Sequence, residues 1–304
     1  MNRSTQEIAL PLEIPRSEAG PGIVSDLIAL VKARLSLLVI VTTFVGFCMA
    51  SHGRFDWLLL VNTVAGTTLA ACAASVLNQF IEANADRLME RTRHRPLPAG
   101  RMRHGHALLI GVTLGILGVA WLRLTVNALS AALALATILI YIGIYTPLKR
   151  KTPFCTIMGA VSGAIPPMIG WVSVRPSLDL GAWILFGILF TWQMPHFLAI
   201  AWMYRDEYAQ AGFVMLRRDD LSGCATAMQS LLYTLALSIV TFIPYFCHLN
   251  SGVYFAGAVL LDAAMLFCAV QFLFQRSRPS ARRLFFTSIS FLPLILGLMV
   301  LTKA

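Results

Sequence analysis

The chain has 304 residues, 58% hydrophobic and only 12% charged, with a mean hydropathy of +0.74. Soluble domains carry about 25% charged residues, so this composition excludes a soluble fold, and several long apolar runs make the chain a helical integral membrane protein embedded in a lipid bilayer. The net charge of +10 does not point to nucleic acid, because the basic residues lie in short segments between apolar runs, where they set topology.

Residues 1–22 are polar and contain Pro11, Pro15 and Pro21. They read as a disordered leader, without the basic-then-apolar pattern and cleavage site of a signal peptide. Residues 23–304 read as a single transmembrane domain. Nine spans are expected, over 35–51, 57–80, 106–122, 125–146, 154–173, 180–203, 225–247, 252–274 and 285–302. The six cysteines lie mostly inside these runs with no CxxC spacing and read as small buried hydrophobes.

Charge supports the count. With the N-terminus in the cytoplasm, 20 of the 24 Lys/Arg fall on the inner side, and only Arg54, Arg123, Arg175 and Lys303 fall outside. Such a bias predicts an N-in, C-out topology. Two inner segments, 81–105 and 204–224, are long and mix acids with bases, so the chemistry is expected on that side.

Three polar constellations stand out. In the first, Asn78, Glu82 and Asp86 stand at i, i+4 and i+8, within about 80° of one another on a helix. Asn84 lies off that stripe. Acids are not needed for topology, and an Asn inside an apolar helix is costly and marks function. The second runs from Gln193 and His196 to Asp206 and Glu207. Gln193, His196, Met203 and Glu207 share a face if the helix stays regular beyond Pro195, where a kink is expected. The third is Tyr145 with Lys149, Arg150 and Lys151, bases that serve topology and equally suit a diphosphate. Lys32 and Arg34 read as topology determinants, Asp219 and Asp220 as a solvated ion-paired loop, and His94, His104 and His106 as loop residues. Asp262 sits mid-span with no assigned role.

Oxygen ligands on one face suit Mg²⁺, which takes one or two carboxylates plus substrate phosphates. Asn78, Glu82, Asp86, Asp206 and Glu207 are the candidate metal ligands, and the neighbouring arginines suit phosphate. The substrate so described has a diphosphate head and a lipid tail. Its ionisation leaves a carbocation that needs a dry cavity.

The first stretch resembles the aspartate-rich signature of the UbiA-type intramembrane prenyltransferases. The segments Met89–Leu97, Tyr145–Pro153, Gly163–Trp171 and Trp192–Phe197 are similar to the haem-farnesylating branch of that family. The resemblance implies nine helices around a central cavity, and transfer of a farnesyl group from farnesyl diphosphate to a vinyl group of haem B, with water, giving haem O. It implies Mg²⁺ as cofactor, with Asn78, Glu82, Asp86 and Glu207 as catalytic residues holding Mg²⁺-diphosphate. Arg91, Arg95, Lys149, Arg150, Asp206, Gln193 and Tyr145 then bind substrate, and the chemistry of an imidazole makes His196 a candidate axial or propionate contact to haem. The implied setting is a bacterial cytoplasmic membrane, with haem A synthase or oxidase assembly proteins as partners. Glu82 and Asn84 stand where the family usually has Asp, Ala33 and Arg217 where it usually has Pro. The rivals are another prenyl acceptor (a quinone precursor, chlorophyllide or glycerol lipid) and a non-enzymatic haem or lipid transporter.

Overall fold

The computed structural model describes residues 22–304, so all of the expected leader but Gly22 lies outside the described residues. Eight helices are long and apolar enough to cross a membrane, and a ninth span is formed if a bent pair is counted as one. That pair is α1 (Ile23–Leu30) and α2 (Ala33–Ala50), which meet at 52°. The apolar run alone predicts a single helix from 35. The bend falls at Lys32, a non-glycine residue in the left-handed region (φ 49°).

Helix α3 (Trp57–Asp86) is capped by the Asp56 side chain, which accepts from the Leu59 N–H at 2.9 Å. Its 30 residues extend about 45 Å, against a hydrocarbon core of about 30 Å. The expected span ended at 80, but the helix runs on through the polar stripe. Asn78, Glu82 and Asp86 therefore occupy its last turns, at the membrane boundary. Helix α4 (His104–Thr125) packs along α3, with Gly118 facing the backbone at Ala70, the small-residue contact that lets membrane helices approach closely.

The expected break between the third and fourth spans is present. Asn127 caps α5 (Ala128–Leu139) by accepting from Ser130 N–H at 2.8 Å. Helix α5 continues through a π-helical turn (Ile140–Tyr145) into the short α6 (Thr146–Leu148). The fifth span is two pieces, α7 (Cys155–Ala164) and α8 (Pro166–Val174), divided at Ile165 ahead of two prolines. Helix α8 lies against α2 at backbone distance. A Cβ on Gly46 would meet the Pro167 carbonyl, and one on Gly170 the Thr43 carbonyl.

Helix α9 (Leu180–Met203) passes unbroken through Pro195 and ends at Tyr204 (φ −113°, ψ 22°). A separate short helix, α10 (Arg205–Gln210), follows. The expected kink at Pro195 does not interrupt the helix; the break falls at Tyr204 instead, so the condition for a shared face fails and Glu207 belongs to α10. The last three spans are α11 (Cys224–Phe246), α12 (Gly252–Gln275) and α13 (Arg278–Leu301). Helix α13 starts seven residues before the expected 285, since Ser277 and Ser280 form a capping box and Pro279 sits in the first turn. Helix α13 packs on α9 and α12 and also touches α2, closing the bundle.

On the face opposite the acidic stripe, two basic residues close the C-terminus of α2. Arg175 Nε donates to the Ala50 carbonyl at 3.1 Å, and Lys303 Nζ donates to the carbonyls of Cys48 (3.0 Å) and Ser51. Cations at a helix C-terminus complement its dipole. This gives a structural reason for two of the four bases that depart from the charge bias.

Candidate active site

The acidic stripe is buried, and each of its members holds a base. Asn78 is 1%, Glu82 4% and Asp86 2% exposed, whereas Asn84, off the stripe, is exposed. Lys32 Nζ donates to Asn78 Oδ1 at 2.7 Å, and Asn78 Nδ2 donates to Thr146 Oγ1 at 3.2 Å. Lys149 Nζ lies 2.8 Å from Glu82 Oε1 and donates to Oε2 at 3.0 Å. Arg95 Nη1 pairs with Asp86 Oδ2 at 2.7 Å. Buried carboxylates need such partners, since an unpaired buried charge is costly.

The π-helical turn sets up the third constellation. It shifts the backbone so that Thr146 Oγ1 donates to the Tyr141 carbonyl at 2.8 Å while accepting from Asn78. Such π-bulges occur frequently at functional sites. The Lys149 ammonium stands 4.5 Å from the Tyr145 ring centroid and 5.6 Å from that of Phe213. Gly159 makes room for the Tyr145 ring, which a Cβ there would strike. Arg150, two residues beyond Leu148, is exposed.

The two long loops meet over this site. Arg91 Nη2 donates to Tyr208 Oη at 3.2 Å, and its guanidinium lies 5.5 Å from the Tyr204 ring. Ala85 and Met89 of the first loop region pack with Ala211 and Phe213 of the second, and Val214 N–H donates to the Lys149 carbonyl at 2.6 Å. Glu207 Oε2 is buried with no hydrogen-bond partner among the described residues. The site thus combines three oxygen-bearing groups on one helix face, bases from three segments, and a loop cover.

A family model described as the UbiA prenyltransferase family matches residues 39–292. A curated relative named protoheme IX farnesyltransferase, from Solibacter usitatus, is 40% identical over 287 residues, covering 91% of this chain and 98% of that protein. The chain belongs to the UbiA prenyltransferase family. The UbiA fold is also seen in solved structures. One of digeranylgeranylglyceryl phosphate synthase matches with a TM-score of 0.77 at 15% identity, over 92% of this chain and 98% of that one. A UbiA homologue from Archaeoglobus fulgidus, bound to GPP and Mg²⁺, matches with a TM-score of 0.64 at 12% identity, over 90% and 99%. At these identities the likeness is one of fold.

Within this UbiA chain the other expected site residues are placed differently. Asp206 points outward, its side chain 86% exposed and 3.6 Å from Arg205, so it does not join the stripe. No group of three or more His, Cys, Asp or Glu is gathered into a metal cluster among the described residues. Gln193 Nε2 is committed to the carbonyls of Ala160 (3.2 Å) and Leu189 (3.1 Å), stapling α9 to α7. His196 faces α13, where Nδ1 lies 2.7 Å from Ser288 Oγ. Asp262 accepts from Thr241 Oγ1 at 2.6 Å in the α11–α12 seam.

Several residues escaped the sequence reading. Lys32 joins the site, because the bend at its own position turns it toward Asn78. Asp26 takes Arg101 in a two-pronged ion pair (Nε and Nη2 to Oδ1 at 3.0 and 2.9 Å), fastening α1 to the first loop. Gln79 Nε2 donates to the Ala29 and Leu30 carbonyls at the end of α1. Asp220 is not simply solvated, for it caps α11 by accepting from Thr226 N–H at 2.8 Å and Thr226 Oγ1 at 2.6 Å. Asp219 does pair with Arg217, at 2.6 Å.

Proposed function

We propose that this protein transfers the farnesyl group of farnesyl diphosphate to a vinyl group of haem B, giving haem O and diphosphate. The observation that carries the reading is the buried stripe of Asn78, Glu82 and Asp86 facing Lys149 and Arg95, in a chain 40% identical to a protein named protoheme IX farnesyltransferase. The all-oxygen donor set fits Mg²⁺, which needs only one or two protein carboxylates beside substrate phosphates. Glu207, with an unpartnered buried oxygen, fits as an acid from the opposite loop. Bound Mg²⁺ neutralises the diphosphate and makes it a better leaving group.

Lys149, Arg95 and Arg91 hold the diphosphate and take up the charge that grows on it as the allylic C–O bond breaks. The loop cover excludes water from the cation that remains. The vinyl electrons of the porphyrin close the new C–C bond to the farnesyl carbon. Water then adds to the carbon left cationic beside the macrocycle and loses a proton. His196 is the haem contact in this reading, from an imidazole set deep in α9. In this reading the membrane is a bacterial inner membrane and the site is on its cytoplasmic face, an orientation that the Lys/Arg bias supports. A haem O product held in the bilayer implies a membrane partner, haem A synthase or an oxidase assembly protein.

Acceptor identity is tested by supplying purified protein with farnesyl diphosphate, Mg²⁺ and, in separate reactions, haem B, a quinone precursor, chlorophyllide or a glycerol phosphate lipid. Farnesylated product is expected from haem B. Product from another acceptor, with none from haem B, refutes the reading.

A further inference from the structure

We infer that Ser288 is a positioning residue that fixes the His196 ring with Nε2 bare, presenting it as a ligand for the iron of a metalloporphyrin. The inference rests on the reading of His196 as the haem contact, and it names the atom and the device that aims it.

Ser288 Oγ has one hydrogen and two close neighbours, the Phe285 carbonyl at 2.6 Å and His196 Nδ1 at 2.7 Å. The carbonyl can only accept. If the serine hydrogen pointed to the histidine, two oxygens would face each other at 2.6 Å with no proton between them. Both contacts become hydrogen bonds only when Ser288 Oγ–H donates to Phe285 O and His196 Nδ1–H donates to Ser288 Oγ. That selects the neutral tautomer with its lone pair on Nε2. No hydrogen-bond partner claims Nε2 among the described residues, the residue is half-buried, and Nε2 is not among the fully buried unpartnered atoms.

The ring is also held against rotation. Trp192 stacks on it at 5.0 Å and 22°, and so does Phe285 at 5.0 Å and 28°. The Trp192 indole donates to the Ser288 carbonyl at 2.8 Å. Trp192 and His196, one turn apart on α9, thus grip the same serine of α13. A packing histidine would have both nitrogens satisfied. One nitrogen anchored and the other open is the arrangement of a metal-ligating imidazole, whose second nitrogen is held by an outer partner that sets tautomer and orientation.

The test is a titration of ferric haem B into the full-length protein in detergent, followed by the Soret band and by electron paramagnetic resonance. Farnesyl diphosphate affinity is measured alongside as a check on the fold. The wild type is expected to show nitrogen ligation of the iron, and His196→Ala to lose it. Ser288→Ala is expected to bind haem about 10–100-fold more weakly, with Ser288→Thr restoring most of the affinity and both serine variants keeping normal diphosphate affinity. Unchanged haem affinity and spectrum in Ser288→Ala, while His196→Ala loses the signature, overturns the positioning role and leaves the haem contact standing. An unchanged spectrum in His196→Ala, or no nitrogen ligation in the wild type, overturns both. A parallel loss of haem and diphosphate affinity in Ser288→Ala makes the serine a packing residue and overturns the inference.

Discussion

At the scale of single residues, the site is a set of matched charges. Glu82 and Asp86 are nearly sealed from solvent, and each meets a base within 3 Å. Burial pulls the Lys149 ammonium down, but the charge and hydrogen bond of Glu82 outweigh it, so Lys149 is held above the usual lysine range. A base raised in this way contributes stability that is complete below its unfolded value and is lost as pH rises through its folded value. The contribution of the Lys149 charge should therefore persist throughout the neutral range and be lost in strong alkali. Lys149→Met leaves a buried carboxylate alone and should cost about 3 kcal/mol in thermal unfolding, with turnover down about 100-fold. Adding Glu82→Gln should recover much of the stability and none of the turnover. Equal stability of the single and double variants would contradict the pairing. The stripe was legible because i, i+4, i+8 is a property of one helix. Its partners Lys32 and Lys149 were not assignable to it, because they lie 46 and 67 residues away in sequence, and such pairing depends on how helices pack.

At the scale of elements, hydropathy located the spans, and their ends moved wherever polar residues continued a helix. Helix α3 carried on through the acids and α13 began among arginines, because capping and tertiary contacts decide helix ends while apolar runs mark only the membrane-embedded part. Helix α11 shows the energetics of one such end. Burial pushes the Asp220 carboxyl up, but hydrogen bonds from Thr226 and Ala225 outweigh it and hold the group below the usual carboxylate range. Asp220→Ala should cost about 1 kcal/mol at neutral pH. The difference from wild type should shrink as pH falls through the lowered value, and thermal unfolding across an acid series measures it. The α2–α8 contact rests on glycines at backbone distance. Gly46→Ala and Gly170→Ala should each destabilise by about 1–3 kcal/mol through overpacking, read as a lower unfolding temperature in detergent.

At the scale of the molecule, the two polar loops form one cover. Arg91, Tyr204 and Tyr208 join them, and the Asp26–Arg101 pair ties the first loop to α1. Asp26→Ala should lose about 1.5–3 kcal/mol of charged hydrogen bonding and open residues 99–104 to limited proteolysis; unchanged cleavage would detach α1 from the cover. The two-loop site was expected from the sequence, since among the inner loops that join one span to the next, acids lie only in those two. The absence of Asp206 from it was not, because that depends on the break at Tyr204, which no periodicity marks. The central claim is that this site breaks the carbon–oxygen bond of farnesyl diphosphate and joins the farnesyl carbon to a haem vinyl group, with water completing the product. Its most direct measurement is the reaction of haem B and farnesyl diphosphate with Mg²⁺ in ¹⁸O-water, with both products resolved by mass. The account predicts a haem carrying one farnesyl group and one heavy oxygen, and a diphosphate carrying none. Heavy oxygen in the diphosphate, or a haem left unalkylated while farnesol accumulates, would contradict it.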